Sequence, residues 1–392
     1  MSMNGKEMKI DCPFEDYPIK FSACRAEELE DIINYLGSSS CLRAGEDASF
    51  QGERGCVTKG RVDLCKAGLG VEGLESVLKV FQSKVNLSLN SLLLGTNGLG
   101  DKGMVNVSQY LKEGLVLETL YLGCNSISEA GVKILTNALV ENSSIQALWL
   151  KRNRIGDEGV GHIASLLDRR DLRTLDLVNT GISFYGLEKL VSSIIHNQSA
   201  IENLYLGGNG FTSEHAPLLV KLIKESQVKR LYLGVSQLGD KGGAILFDAI
   251  NEGSNLELLC VRSNGFSDKI GPSLKYLQHS NLRYLYFGKL KSEQKLGSKR
   301  NQLEKSALML RESIDKLNIL DLSSNTIDHR TANGLIEAYE SSSSLRYLNL
   351  GSNALLRVQK RKLGSINELN KKYYTSPNAD AEKIISEGRL LT

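Results

Sequence analysis

The stretch LETLYLGCNSISEAGVKILTNALVENSS, Leu117 to Ser144, decides the architecture. Leu117, Leu120 and Leu122 alternate with outward residues around Tyr121, the period of a strand with one buried face. Val132, Leu135 and Leu139 then recur at steps of three and four, the period of a helix laid over that strand. Between them Ser128 stands where a side-chain oxygen caps the exposed N–H groups of a helix start. The stretch is one of a series. LNSLLLGTNGL, LETLYLGCNSI, IQALWLKRNRI, IENLYLGGNGF, LNILDLSSNTI and LRYLNLGSNAL all fit LxxLxLxxNxL, with asparagine at Asn97, Asn125, Asn153, Asn209, Asn325 and Asn353. Weaker copies put Thr180, Ser236 and Asn264 in that slot, and RVDLCKAGL puts Ala67 there. Asn97 to Asn125 and Asn125 to Asn153 are both steps of 28 residues. Such a period means a solenoid of strand–turn–helix units.

A helix is about 10 Å wide while strands pair at about 4.8 Å, so stacking these units pushes the helices outward and bends the sheet. The expectation is an α/β right-handed solenoid, a horseshoe with a parallel β-sheet on its concave face and helices on its convex face. The asparagine column is expected to be structural, because an amide in the turn satisfies backbone groups that would cost about 1 to 3 kcal/mol each if buried unpaired.

From about Val57 to Leu355 the pattern resembles the ribonuclease-inhibitor subfamily of leucine-rich repeats, the long-repeat type also seen in Ran GTPase-activating proteins and in innate-immunity sensor regions. The resemblance implies a scaffold for a partner protein and does not name the partner.

Three segments follow from where the repeat fades. Residues 1–56 read as an N-terminal cap, with an amphipathic helix over Ala26–Leu36, a strand at Ile19–Phe21 and a polar loop from Ser38 to Gly55. Residues 57–355 carry the repeats, and 356–392 read as a C-terminal helical cap or tail. One irregularity interrupts the series. Asn325 stands 61 residues after Asn264 where two periods need about 56. The extra residues, 289–300, carry Lys289, Lys291, Lys295, Lys299 and Arg300, and read either as a surface insertion or as a basic finger on the rim.

In each LxxLxL strand the residue between the last two leucines points away from the core. Five of these are aromatic: Tyr121, Trp149, Tyr205, Tyr232 and Tyr286. The column two residues earlier adds Arg230, Tyr284 and Tyr347. Trp, Tyr and Arg dominate protein interfaces, so these eight are the candidate partner-binding residues. Aromatic neighbours on adjacent strands also stabilise a sheet, which is the competing account. Glycine two places after the column, as at Gly95, Gly123 and Gly288, leaves that edge low.

Other functions find little support. The net charge of +3 gives no electrostatic reason for nucleic acid. Seven scattered cysteines without a CxxC pair read as reduced thiols, and neither a metal nor another cofactor is expected. Five histidines fall in different units, and no catalytic motif is present, so no enzyme or small-molecule substrate is expected. The absence of an apolar run of membrane length predicts a cytoplasmic protein without membrane contact. Two alternatives stay open. GTPase activation would use an exposed arginine such as Arg154, and a resemblance to leucine-rich bacterial effectors would imply delivery into a host cell to act on a host protein.

Overall fold

The computed structural model describes residues 7–10, 19–38, 49–58, 60–82, 89–168, 171–250, 254–288 and 301–370. They fall into two compact units, Met1–Asn209 with Ser226–Val228, and Gly210–Glu225 with Lys229–Thr392.

The first unit opens with β1 (Glu7–Ile10) and β2 (Ile19–Ser22), an antiparallel pair in a sheet of their own. The expected strand at Ile19 is therefore present but does not join the repeat sheet. A 3₁₀ turn over Ala26–Leu29 leads into α1 (Glu30–Gly37), which buries Ile32 and Leu36. The reading of Ser38–Gly55 as a loop is corrected at its end, where β3 (Ser49–Gln51) forms and Phe50 stacks on Tyr35 with centroids 4.5 Å apart. β3, β4 (Cys56–Thr58) and β5 (Arg61–Asp63) pair antiparallel. From β5 onward every pairing is parallel, through β6 (Ser91–Leu93), β7 (Thr119–Tyr121), β8 (Ala147–Trp149), β9 (Thr174–Asp176) and β10 (Asn203–Tyr205). The helices between them are α2 (Gly70–Gln82), α3 (Gly100–Lys112), α4 (Glu129–Glu141), α5 (Gly156–Ala164) and α6 (Phe184–His196). Val132, Leu135 and Leu139 of α4 are buried together with Leu117, Leu120 and Leu122, as their periods predict.

The second unit repeats the plan with parallel β11 (Arg230–Tyr232), β12 (Leu258–Cys260), β13 (Tyr284–Tyr286), β14 (Ile319–Asp321) and β15 (Tyr347–Asn349). Its helices are α7 (Ala216–Glu225), α8 (Gly239–Ala249), a four-residue α9 (Gly271–Leu274), α10 (His329–Ser341) and α11 (Arg357–Asn370), with a 3₁₀ stretch over Ser306–Lys316. Phe247, Phe266 and Phe287 fill the core beside the shortened α9, with centroids 5.4 to 6.1 Å apart. α11 covers the outer edge of β15. Asn367 there accepts from Leu348 N–H at 3.3 Å and donates to Leu348 C=O at 2.9 Å, satisfying groups that a further strand would otherwise take. Each unit is an α/β solenoid of parallel strands and outer helices.

The asparagines form ladders. Asn153 Oδ1 accepts from Asn125 N–H at 2.9 Å and Ile127 N–H at 3.1 Å, while its Nδ2 donates to the carbonyls of Leu122 and Leu150. Asn125 and Asn97 do the same one and two repeats earlier, and all three are fully buried. Thr180 keeps one such bond, to Leu177 C=O at 2.8 Å, whereas the buried Ser236 hydroxyl finds no partner. Asn301 corrects the count across the insertion. Its Oδ1 accepts from Asn264 N–H at 3.0 Å and its Nδ2 donates to Phe287 C=O at 2.8 Å, so it fills the slot one repeat after Asn264 and ahead of Asn325. Residues 289–300 themselves lie outside the described residues.

The serine caps have a second support. Asp101, Asp157 and Asp240, each at a helix start, accept both N–H and hydroxyl of Ser128, Ser183 and Ser267 in the next repeat. A Cβ at Gly131 or Gly186 would come within 2.2 Å of the aspartate oxygen, so glycine is required there.

Candidate functional site

A three-residue strand offers two positions away from the core, its first and its third, and the third-position column differs between the units. In the first unit it runs Asp63, Leu93, Tyr121, Trp149, Asp176, Tyr205. Trp149 and Tyr205 are two strands apart, about 9.6 Å by strand spacing, yet their ring centroids are 5.1 Å apart. The small Asp176 between them leaves room for both rings to lean together. Tyr121 closes the other side at 6.4 Å from Trp149. Tyr121, Trp149, Tyr205 and Asp176 are then only 2 to 5% exposed. The expectation that these rings stand in solvent is corrected: they form a packed stack. Glycine makes the stack fit, because a Cβ at Gly95 would meet Tyr121 Cε1 at 2.3 Å and one at Gly123 would meet its hydroxyl at 2.4 Å.

Charge is buried within and beside that stack. Asp176 Oδ1 accepts from Val178 N–H at 2.8 Å, and Lys151 and Arg152 are 6% exposed. Burial raises the Asp176 carboxyl to about 6 against the pull of Lys151, and burial lowers the Lys151 ammonium against the pull of Asp176.

In the second unit the third positions are Tyr232, Cys260, Tyr286, Asp321 and Asn349, and the first positions include Arg230, Tyr284 and Tyr347. Here the tyrosines remain partly open: Tyr232, Tyr284 and Tyr286 are half-buried, and Tyr347 is 37% exposed. Arg262 lies over the Tyr286 ring, 4.8 Å from its centroid, and pairs with Asp321. Burial opposes the Arg262 charge, but the Asp321 carboxylate outweighs it and holds the guanidinium protonated. Burial raises the Tyr347 phenol, helped by Asp321 and opposed by Arg262. Arg230 sits 3.8 Å from Glu257. A Cβ at Gly288 would meet Asp321 at 2.7 Å, so this glycine also seats a neighbour's side chain.

Sequence reading missed a third row. The residue just before each strand is held in register by backbone hydrogen bonds, giving Asn90, Glu118, Gln146, Arg173 and Glu202 in the first unit. In the second unit the row is Lys229, Glu257, Arg283, Asn318 and Arg346. The first row carries one cation and two carboxylates, with Arg173 3.5 Å from Glu202. The second carries three cations and one carboxylate. Its Arg283 is exposed, with Nη1 donating to the carbonyls of Leu282 and Lys316.

The remaining candidates lie elsewhere. Arg154 is exposed in the turn ahead of α5, where its backbone bridges Ser128. His162, His196 and His329 lie on α5, α6 and α10, and His279 on a 3₁₀ turn, while His215 stacks on Phe211 and accepts from Thr212 N–H. Among the described residues no group of three or more His, Cys, Asp or Glu could hold a metal, and no helix is long and apolar enough to cross a membrane.

Comparison with known proteins agrees with this architecture. A leucine-rich-repeat family model matches residues 141–164. NACHT, LRR and PYD domains-containing protein 3 from Bos taurus is 28% identical over 199 residues, which is 50% of this chain and 19% of that protein. The Homo sapiens protein of the same name is 29% identical over 194 residues, 48% of this chain and 18% of that protein. The match thus spans about a fifth of these relatives' length. Among solved structures, the yeast Rad7 and Elc1 complex aligns with TM-score 0.52 at 15% identity, covering 76% of this chain and 71% of that one.

Proposed function

We propose that this leucine-rich-repeat protein is a non-catalytic scaffold that holds a partner protein on the outward face of its repeat strands, chiefly through the second unit. One observation carries the reading: on that unit large amphipathic rings and arginines stay partly open, where the first unit closes over its own. Tyr284, Tyr286 and Tyr347 offer flat contact area with few rotatable bonds, which is what interface anchors supply. Arg230 and Tyr232 extend the surface along β11. Tyr121, Trp149 and Tyr205 belong to the scaffold's own packing and stiffen the sheet.

The test places a photo-crosslinking amino acid at Tyr347 and, separately, at Val105 on α3, which is 50% exposed. Adducts read by mass spectrometry should form with a discrete protein at position 347 and not at 105. Equal labelling at both positions, or none at 347, would overturn the reading.

A further inference from the structure

We infer that α11, the helix covering β15, rests on an anionic lipid surface, with its basic side chains among the headgroups and its exposed aliphatic side chains inserted between them. This surface is separate from the strand face proposed for the partner protein, and neither reading depends on the other. Two sides of the helix differ in kind. Gln359 and Leu363 are buried and Asn367 bonds to Leu348, so that side belongs to the fold. Away from it, Val358 is 67% and Leu369 is 72% exposed. Eleven residues separate them, three helical turns, which sets both on one line about 16 Å long. Arg357, Lys360 and Arg361 are exposed on the same helix, and no carboxylate among the described residues pairs with any of the three. Lys362 is different, since Glu340 neutralises it at 2.7 Å. The helix's one carboxylate, Glu368, comes about two turns after Arg361.

Helix stability does not account for these cations. α3, α4, α5 and α8 carry Asp101, Glu129, Asp157 and Asp240 in their first turns, where the helix dipole favours negative charge. α11 has no acidic residue there and begins with Arg357. Arg357 also stands three residues from Lys360 and four from Arg361, spacings at which like charges repel across a helix surface. Negative charge from outside the chain would relieve both conflicts. The form of the surface selects among anionic partners. Peptides dock in grooves or on strand edges, and single-stranded nucleic acid stacks on aromatic side chains. α11 itself covers the edge of β15 and carries no aromatic residue. Its outer side is a ridge of basic and aliphatic residues, the composition of a helix lying in a membrane interface. That no described helix is long and apolar enough to cross a membrane bears on spanning alone.

The experiment sediments the full chain with vesicles of phosphatidylcholine, alone or with about 30 mole per cent phosphatidylserine. Each basic residue near an anionic membrane strengthens partition about fivefold, so three give about a hundredfold. The chain should sediment with the anionic vesicles, not with phosphatidylcholine alone, and should be released as salt rises. Arg357→Gln with Lys360→Gln and Arg361→Gln should weaken partition at least about tenfold without lowering the Tm, because the helix start is relieved. Val358→Ser with Leu369→Ser should also weaken it at unchanged charge, which a merely solvated basic face would not show. An environment-sensitive fluorescent amino acid at Val358 should shift to the blue on anionic vesicles, and one at the exposed Val105 of α3 should not. This pair of probes decides if a multiply substituted variant unfolds. No sedimentation with anionic vesicles, equal sedimentation with both kinds, or unchanged partition in either folded variant overturns the inference. So does a blue shift at both probes or at neither. Binding of a polyglutamate peptide or a single-stranded RNA of about twelve units, lost in the triple variant while vesicles stay unbound, would overturn it in favour of protein or nucleic acid.

Discussion

Trp149 in the first unit and Tyr347 in the second are both outward aromatic residues on three-residue parallel strands, yet one is 5% and the other 37% exposed. Neighbours explain the difference. Trp149 has Tyr121 on one side and, across the small Asp176, Tyr205 on the other. Tyr347 aligns with Ile319 at the first position of β14, and β15 is the end strand of the sheet among the described residues. The direction of a side chain along a strand fixes which side of the sheet it takes. What covers it is decided by residues one and two strands away.

Four measurements can break or sharpen this contrast. The largest effect is expected at Trp149. Removing a buried aromatic that two rings pack against should cost about 3 to 5 kcal/mol in urea unfolding, as for other large-to-small core changes. A Trp149→Ala variant with wild-type stability would mean that the stack does not hold the first unit together.

Next comes the ladder. Asn153→Ala strands the N–H groups of Asn125 and Ile127 and the carbonyls of Leu122 and Leu150, so about 3 kcal/mol should be lost. Asn353 makes the equivalent bonds near the end of the second unit but is only half-buried, and its alanine variant should lose about 1 kcal/mol. Equal losses at the two positions would erase the distinction between a sealed and an open repeat.

The third measurement uses acid. Asp176 titrates near 6 in the folded chain against about 3.9 when unfolded, because burial disfavours its charge. A raised pKa favours folding below about 3.9, and that contribution is lost as the pH rises through about 6. Asp176→Asn should remove this part of the slope, seen as a flatter urea midpoint between about pH 4 and 6. A slope identical to wild type would show that burial between the rings does not raise the carboxyl's pKa.

The smallest effect on stability is expected at Tyr347, where alanine should cost less than about 1 kcal/mol. A larger loss on thermal melting would make this ring part of the packing as well.

Strands, helices and most asparagines were legible because each follows a period that chain geometry imposes. Ser128 and Ser183 were also readable as caps, since a cap has a fixed offset from the asparagine. Asn301 is not legible by spacing, because the insertion shifts it, although NQL, Asn301 to Leu303, repeats the NxL end of the motif. The aspartates that hold the serine caps were visible as GDKG, GDEG and GDKG, but their partners lie in the next repeat. The burial of Tyr121, Trp149 and Tyr205 was not legible, since it depends on rings meeting across strands. The basic row of Lys229, Arg283 and Arg346 escaped notice because surface charge has no period and the total charge averages it away.

Asn301 also shows what the repeat does and does not count. Asn97, Asn125, Asn153, Asn209 and Asn353 each bond to the carbonyl three residues back, as Asn97 does to Leu94, but Asn301 reaches the equivalent Phe287 across fourteen residues and still joins its ladder. The architecture is indexed by the amide, and the length of chain that delivers it is a free parameter. Loop closure makes such freedom inexpensive, since each doubling of a flexible loop costs only about 0.6 kcal/mol. Register between the repeats on either side of Phe287 and Asn301 is therefore carried by the amide's bonds to Asn264 N–H and Phe287 C=O, and not by a residue count.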